Sequence, residues 1–377
     1  MFLLRHSNDL SFMMPLISNL SKAKVVLYGG DYGEENIRLL NYYKIGHYYL
    51  EREFKYLLSL IGGLRRKLFW IQPIDVFLRA IFKSISNYQN RLYIRKLDQV
   101  LDNIDCFELD TFIFDHNQEE VSDLFINHIK NKFPNKKLKF IAAPHGSNFM
   151  ENQMFHIFEI APPKIANLNK YDVVVCDGEQ DFKMLIGNKI IINSLRNTKF
   201  WMETLSKFQI KNGSLEERTK KIKILIFHSK FSGGINVKEF ERTIKIINQF
   251  KNLELKIKPH PRGGIFELNK IVKNKERVSL FNGSLFDSLS WADYIINIQS
   301  GALIDSLIYG KPVLHPLFLT SNIQLDEMYA YQHVMRCADE VYITFKKISA
   351  GSYVHKAESF CPNDWQQNMD KWVQILK

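Results

Sequence analysis

The stretch "DYIINIQSGALIDSLIYGKPVLHP", Asp293 to Pro316, sets the architecture of the chain's second half. "YIINI" and "PVL" are short β-branched runs, and between them "SGALIDSLIYG" spaces apolar residues as a helix does and ends on a glycine. Strand, helix and strand in that order make a crossover unit of a parallel sheet. The turn that opens the helix holds Ser300, Gly301 and Ala302. Its free N–H groups and the positive end of the helix dipole suit an anion, so the Ser300 hydroxyl and the backbone of Gly301 and Ala302 could hold a phosphate. An ordinary N-cap serine has the same appearance.

Upstream, "LKIKPHPRGG", Leu255 to Gly264, ends an alternating strand with His260 between two prolines. Each proline locks its own φ and restricts its predecessor, so the main chain through His260 and Pro261 is held extended. An imidazole fixed at a strand end can donate to a phosphate or ribose oxygen, and Arg262 offers a planar fork to a second anion. Gly263 and Gly264 permit close approach of the loop to a ligand. A turn after an edge strand is the plainer alternative. "FHSKFSGG" places Ser229 after another strand, as a ligand contact or as a flexible connector, and His315 follows the final long strand as a secondary contact to base or sugar.

The strand-helix alternation continues in both directions. "MFLLR", "KVVLYGG", "CFELDTFIFDH", "KLKFIAAPHGS" and "YDVVVCDG" read as strands of a first half, and residues 34–100 as long amphipathic helices with one basic face. The texture turns polar and charged after Lys189. The predicted class is α/β, with a domain over 1–212, a second over 213–345, and a C-terminal helix within 346–377 packing back toward the first. Ligands of open parallel sheets bind beyond the carboxyl ends of strands, where every candidate above falls. On this reading His260 and Ser300 stand at neighbouring strand ends and form one phosphate clamp.

In the first half, His145 of "FIAAPHGSN" follows an apolar strand, and a neutral histidine near pH 7 suits the removal of a proton from a sugar hydroxyl. Asp9 and Glu179 are competing bases, each also explained as a first-turn acid favoured by a helix dipole. "YGGDYGEEN" lacks both GxGxxG and GK[ST] spacing. No DxD carboxylate pair for a divalent metal stands at a suitable strand end, so no metal is expected, and no cofactor.

The 377 residues exceed one ordinary core, and a hydrophobic content of 46% suffices for two. The net charge of +11 is spread along the chain, without an arginine-rich arm or zinc-finger spacing. That pattern favours a small anionic substrate or a membrane surface over nucleic acid. Four cysteines without a CxxC pair suit reduced thiols in the cytoplasm. No leader-like or spanning apolar run is expected. The basic helices of residues 60–100 fit a peripheral position at the inner membrane face, or an ordinary solvated surface.

"KIKPHPR" followed by "ADYIINIQSGALIDSLIYGKPVL" resembles the two-domain GT-B glycosyltransferases of bacterial surface polysaccharide synthesis, capsule and lipopolysaccharide. These include the CMP-dependent sialyl-, polysialyl- and Kdo transferases and, more distantly, the CDP-glycerol glycerophosphotransferases. In that group an HP motif and a serine turn hold the donor phosphates, and His260 with Pro261 matches the first, Ser300 the second. The match covers about 120 residues of the second half. In the first half, Pro144-His145-Gly146 looks like the histidine-glycine of the glycerophosphotransferases rather than the acidic pair of the polysialyltransferases, which points to His145 as base. "SLRNTKFWMETL" resembles their arginine-containing turn with its glycine replaced, and "QSGA" keeps one of the group's paired serines.

The resemblance implies two Rossmann-like domains whose parallel sheets face an interdomain cleft, the first binding the acceptor and the second the nucleotide-sugar donor. It implies metal-independent transfer, with a CMP-sugar favoured, to a surface glycan or lipid-linked glycan. The alternatives are a glycerophosphotransferase, a 2-epimerase of nucleotide sugars, and a nucleotide-sugar-binding protein without catalysis.

Overall fold

The computed structural model describes residues 1–5, 7–28, 34–50, 53–68, 70–104, 109–116, 120–144, 166–212, 221–228, 231, 234–260, 265–273, 275–321, 324 and 326–377. Their strands are β1 (Phe2–Leu4), β2 (Lys24–Tyr28), β3 (Gly46–Leu50), β4 (Thr111–Asp115), β5 (Lys139–Ala143), β6 (Ala166–Asn167), β7 (Val173–Cys176), β8 (Leu185–Ile186), β9 (Lys189–Ile191), β10 (Ile222–His228), β11 (Leu253–Lys258), β12 (Val278–Leu280), β13 (Tyr294–Ile298), β14 (Val313–Pro316) and β15 (His333–Met335). Apart from the small β6–β8 pair, they lie in two parallel sheets, one in each of two units.

The first unit lies within Met1–Gly146, Ile165–Arg196 and Asn368–Lys377. Its sheet runs β3-β2-β1-β4-β5-β7-β9, with every pairing parallel. Strands covered on both faces need unbroken apolar runs, and all of "FLL" in β1 and "FIFD" in β4 is buried. Phe112 stacks on Phe140 at 5.7 Å, and Tyr28 meets Phe125 edge-on at 5.1 Å. β7 ends on Cys176, a buried thiol whose pKa burial pushes up to about 11. The chain's last residues belong to this core: Trp372 is buried, and the Asn368 side chain accepts the Asn193 N–H at 3.0 Å.

Two segments differ from the sequence reading. Residues 34–100 form helices Glu34–Tyr42, Lys55–Leu68 and Gln72–Asn103, but β3 lies among them. "GHYYL" is an edge strand with only Leu50 buried, so it lacks the alternation that would mark it, and pairing with β2 recruits it. The polar stretch after Lys189 contains β9 and helix Lys199–Asn212. That helix buries Trp201, Met202 and Leu205 beneath a charged exposed face.

Helices Lys55–Leu68 and Gln72–Asn103 pack against each other as a hairpin. The second starts with a proline in its first turn, where the missing N–H costs nothing. Asp75 ties the tip: it accepts Arg65 Nε at 3.2 Å from one helix and Arg79 Nε at 2.7 Å from its own.

The second unit lies within Asn197–Gln367. Its sheet runs β12-β11-β10-β13-β14-β15, all parallel. β11 shows how the alternation works: Leu253, Leu255 and Ile257 enter the core, while Lys256 and Lys258 on the other face lie over Phe281. Helix Val237–Ile247 is capped by Asn236, and helix Leu285–Trp291 by a Ser284–Asp287 capping box.

Candidate functional site

Each sheet is wound outward in both directions from its first strand, so the loops diverge between β1 and β4 in the first unit and between β10 and β13 in the second. At such switch points the carboxyl ends of the strands open a crevice to ligands.

In the second unit β10 ends on His228, which is buried, stacks on Phe231 at 5.0 Å and lies 6.1 Å from Phe240. Beyond β13, Gln299 adopts a left-handed φ of 57°, a conformation costly for a residue with a Cβ. It turns the chain into helix Ala302–Ile308. The Ser300 hydroxyl accepts the Ala302 N–H at 3.3 Å, while the N-cap position itself falls on Gly301, which makes no side-chain cap. The Ser300 O–H stays available to donate. Gly301 is exposed, and a Cβ built on it meets nothing within 4 Å.

His260 is half-buried, two residues past the end of β11. Here the structure corrects the sequence reading. Phe227 of β10 pairs with Lys258 on one side and with Asn297 on the other, so His260 and Ser300 do not stand at neighbouring strand ends. β10 and His228 come between them, and the two strand axes are about 10 Å apart. The sheet reverses its winding at β10, which separates strands that follow closely in sequence. A ligand that reached both residues would have to be longer than one phosphate.

His315 lies on β14, fully buried, with its ring 5.8 Å from Tyr329. Its Nδ1–H donates to the Asn297 carbonyl at 3.0 Å. Burial lowers its pKa against that opposing hydrogen bond, leaving the ring neutral with Nε2 as an acceptor. Among the described residues, neither His315 Nε2 nor either amide atom of buried Asn297 has a hydrogen-bond partner. Under the loop that follows, Gln332 Nε2 donates to Gln324 Oε1 at 2.5 Å, and the Gln324 N–H to the Tyr329 hydroxyl at 3.1 Å. Orphaned buried polar atoms are rare, and here they cluster at the carboxyl end of β13 and β14.

In the first unit, half-buried Arg5 and buried Asp115 form an ion pair at 3.4 Å across the switch point. The Tyr28 hydroxyl donates to Asp115 at 3.4 Å, and burial, followed by the Asp115 charge, raises its pKa. Asp9 is buried in the first turn of helix Ser7–Ile17 and accepts the Arg5 N–H at 3.0 Å. Arg196 reaches the same helix through Ser11 Oγ at 2.8 Å. Glu179 is exposed at the start of helix Glu179–Met184, beside Asp177, whose carboxylate accepts the Ser194 N–H at 2.7 Å. β5 ends at Ala143 beside Asp115.

His145, Ser229, Pro261, Arg262, Gly263 and Gly264 lie outside the described residues. The sequence reading missed Arg5, Asp115, His228 and Asn297. Its signal was present for two of them: a single polar residue closes each of the apolar strands "TFIFD" and "IKILIFH". Among the described residues no group of three or more potential ligands could hold a metal ion, and no helix is long and apolar enough to cross a membrane.

No family model matches the sequence, and no curated protein matches it. Solved structures do. The UDP-GlcNAc 2-epimerase from Neisseria meningitidis bound to UDP-GlcNAc is similar with a TM-score of 0.64 at 13% identity, over 100% of this chain and 99% of that one. The fold is GT-B. The UDP-GlcNAc 2-epimerase from Methanocaldococcus jannaschii in complex with UDP-GlcNAc and UDP gives a TM-score of 0.59 at 12% identity, over 100% and 99%. A putative UDP-N-acetylglucosamine 2-epimerase from Listeria monocytogenes gives 0.58 at 11%, over 100% and 95%. This structural likeness establishes the GT-B architecture of two Rossmann-like units and nothing of the chemistry.

Proposed function

We propose that this GT-B chain is a cytoplasmic glycosyltransferase that moves a sugar from a nucleotide-activated donor, with a CMP-sugar favoured, onto a bacterial surface glycan or its lipid-linked precursor. The observation that supports it most is the placement of residues 258–260 and of the "QSG" turn at the carboxyl ends of β11 and β13, on either side of β10 at the switch point. As the glycosidic bond to the donor breaks, negative charge builds on the leaving phosphate. His260, Arg262, the Ser300 hydroxyl and the backbone at Gly301 and Ala302 are donors suited to that charge, and preorganised donors stabilise it without rearranging during the reaction. His315 and Asn297 supply unmatched hydrogen-bonding atoms for the base or sugar. The acceptor hydroxyl loses its proton to His145, with Asp9 and Glu179 as the competing carboxylates. Asp9 is the weaker of these two, because its carboxylate already holds the Arg5 N–H.

A second reading, 2-epimerisation of a nucleotide sugar, is favoured by the full-length likeness to three structures described as UDP-GlcNAc 2-epimerases. One experiment separates them. Purified protein is incubated with CMP-sugars, CDP-glycerol or UDP-GlcNAc, with and without a glycan acceptor, and products are read by NMR. Acceptor-dependent release of CMP from a CMP-sugar supports transfer. Conversion of UDP-GlcNAc at C2 without acceptor overturns it in favour of epimerisation, and CMP release from CDP-glycerol in favour of glycerophosphate transfer.

A further inference from the structure

The hairpin of helices Lys55–Leu68 and Gln72–Asn103 carries a surface for which the proposed reaction has no use. On the first helix Leu58 and Ile61 are buried, whereas Leu57, Leu60 and Leu64, spaced as one helical stripe, are 41%, 61% and 40% exposed. Trp70 in the connecting turn is 70% exposed, and Val76 and Phe77 in the opening turns of the second helix are 65% and 63% exposed. Large apolar side chains scattered singly over a surface need no explanation, but several on the two helices of one hairpin and on the turn that joins them mark an interaction site.

The charge around this tip identifies what it meets. Between Lys55 and Lys96 the sequence holds nine Lys or Arg residues and one acid, Asp75. That acid is buried and neutralised by Arg65 and Arg79. Lys67, Arg79, Lys83, Arg91 and Arg95 are exposed along the hairpin. A basic stem beneath an apolar tip that carries a tryptophan fits an anionic lipid surface, which takes apolar side chains at the acyl boundary and cations at the headgroups. The same charge opposes a second copy of this chain, since pairing would set two strongly basic stems against each other.

We propose that this hairpin docks the protein on an anionic membrane, its tip around Trp70 and Phe77 entering the interface and its basic stem lying against the headgroups. The inference stands on the hairpin alone and holds whichever nucleotide sugar the second unit binds.

The test is co-sedimentation of the full chain with vesicles of phosphatidylcholine alone or mixed with phosphatidylglycerol. Binding is expected only to the mixed vesicles, and it weakens as salt rises from about 0.1 M to about 0.5 M. The double variant W70S/F77S should bind about tenfold more weakly or worse, since each change removes apolar area that the membrane interface would bury. Both side chains are exposed, so its thermal midpoint should match that of the parent, and the paired charge reversal K67E/K83E provides a second variant with the same expected loss. Equal binding by parent and both variants would overturn the proposal, as would equal binding to neutral vesicles. Absence of vesicle binding, together with a dimer in light scattering that W70S/F77S dissolves, would assign the surface to self-association instead.

Discussion

His260 and His315 differ in what surrounds them, and that difference predicts different behaviour. His260 is half-buried beyond its strand and contributes little to the core, so H260A should fold with an unchanged melting temperature. A hydrogen bond to a charged group contributes about 1.5–3 kcal/mol, so its affinity for the donor, read by calorimetry, should fall roughly 10- to 100-fold. Unchanged affinity would remove His260 from the donor site. His315 is buried, and its pKa is lowered from an ordinary value of 6.5, as burial also lowers those of His333 and His355 in the same unit. The unfolded chain therefore takes up these protons more readily than the folded one. Stability is full above about pH 6.5 and is lost progressively as pH falls below it. Thermal melts from about pH 7.5 to 5.5 should show this decline, and H315Q should make it shallower. A slope unchanged in H315Q would show that His315 does not titrate on unfolding.

At the scale of the element, the turn between β13 and helix Ala302–Ile308 has two explanations that a single substitution separates. A Cβ at Gly301 meets nothing within 4 Å in the protein, and its φ of −57° suits any residue. G301A should thus melt with the parent protein, whereas donor affinity should drop by about tenfold if a phosphate packs on that backbone. Parent-like affinity would leave the turn as a helix start and nothing more. The turn also shows what could be read in the sequence. "YIINIQSGALIDSLIYGKPVL" announces its strand, helix and strand because both strands are buried on two faces and are therefore mostly apolar, with Asn297 and His315 as the polar exceptions. β3 gave no such signal, since an edge strand rich in half-exposed tyrosine is defined by its neighbour rather than by its own pattern. The spatial order of the strands was equally hidden. Sequence gives succession along the chain, whereas the side of β10 on which a strand lands is decided by the crossovers. That is why His260 and Ser300 were expected side by side and are found with His228 between them. The hairpin's apolar tip escaped notice for a related reason: the pattern of residues 60–100 shows an amphipathic helix, but only the fold shows which apolar positions remain uncovered.

Across the whole molecule, the first unit is closed by residues distant in sequence. Deleting residues 368–377 would strip Trp372 from its core, along with the Asn368 bond to Asn193 and the Lys139 bond to the Ile375 carbonyl. Loss of a buried tryptophan with its neighbours typically costs about 3–5 kcal/mol, so the urea midpoint of that unit should fall well below that of the intact chain. An unchanged midpoint would mean that the sheet is stable without them. The buried thiol at the end of β7 has a different consequence. Cys337 and Cys361 are exposed, whereas Cys176 has no accessible surface and almost no thiolate at neutral pH. In a C106S background, a disulfide reagent should modify two sulfurs at once and the third only when β7 transiently opens. The slow phase is then a clock for breathing of this edge of the sheet under native conditions. It would show, without denaturant and without labelling at a chosen site, whether a ligand at the switch point quiets β7, two strands beyond β4 in the sheet.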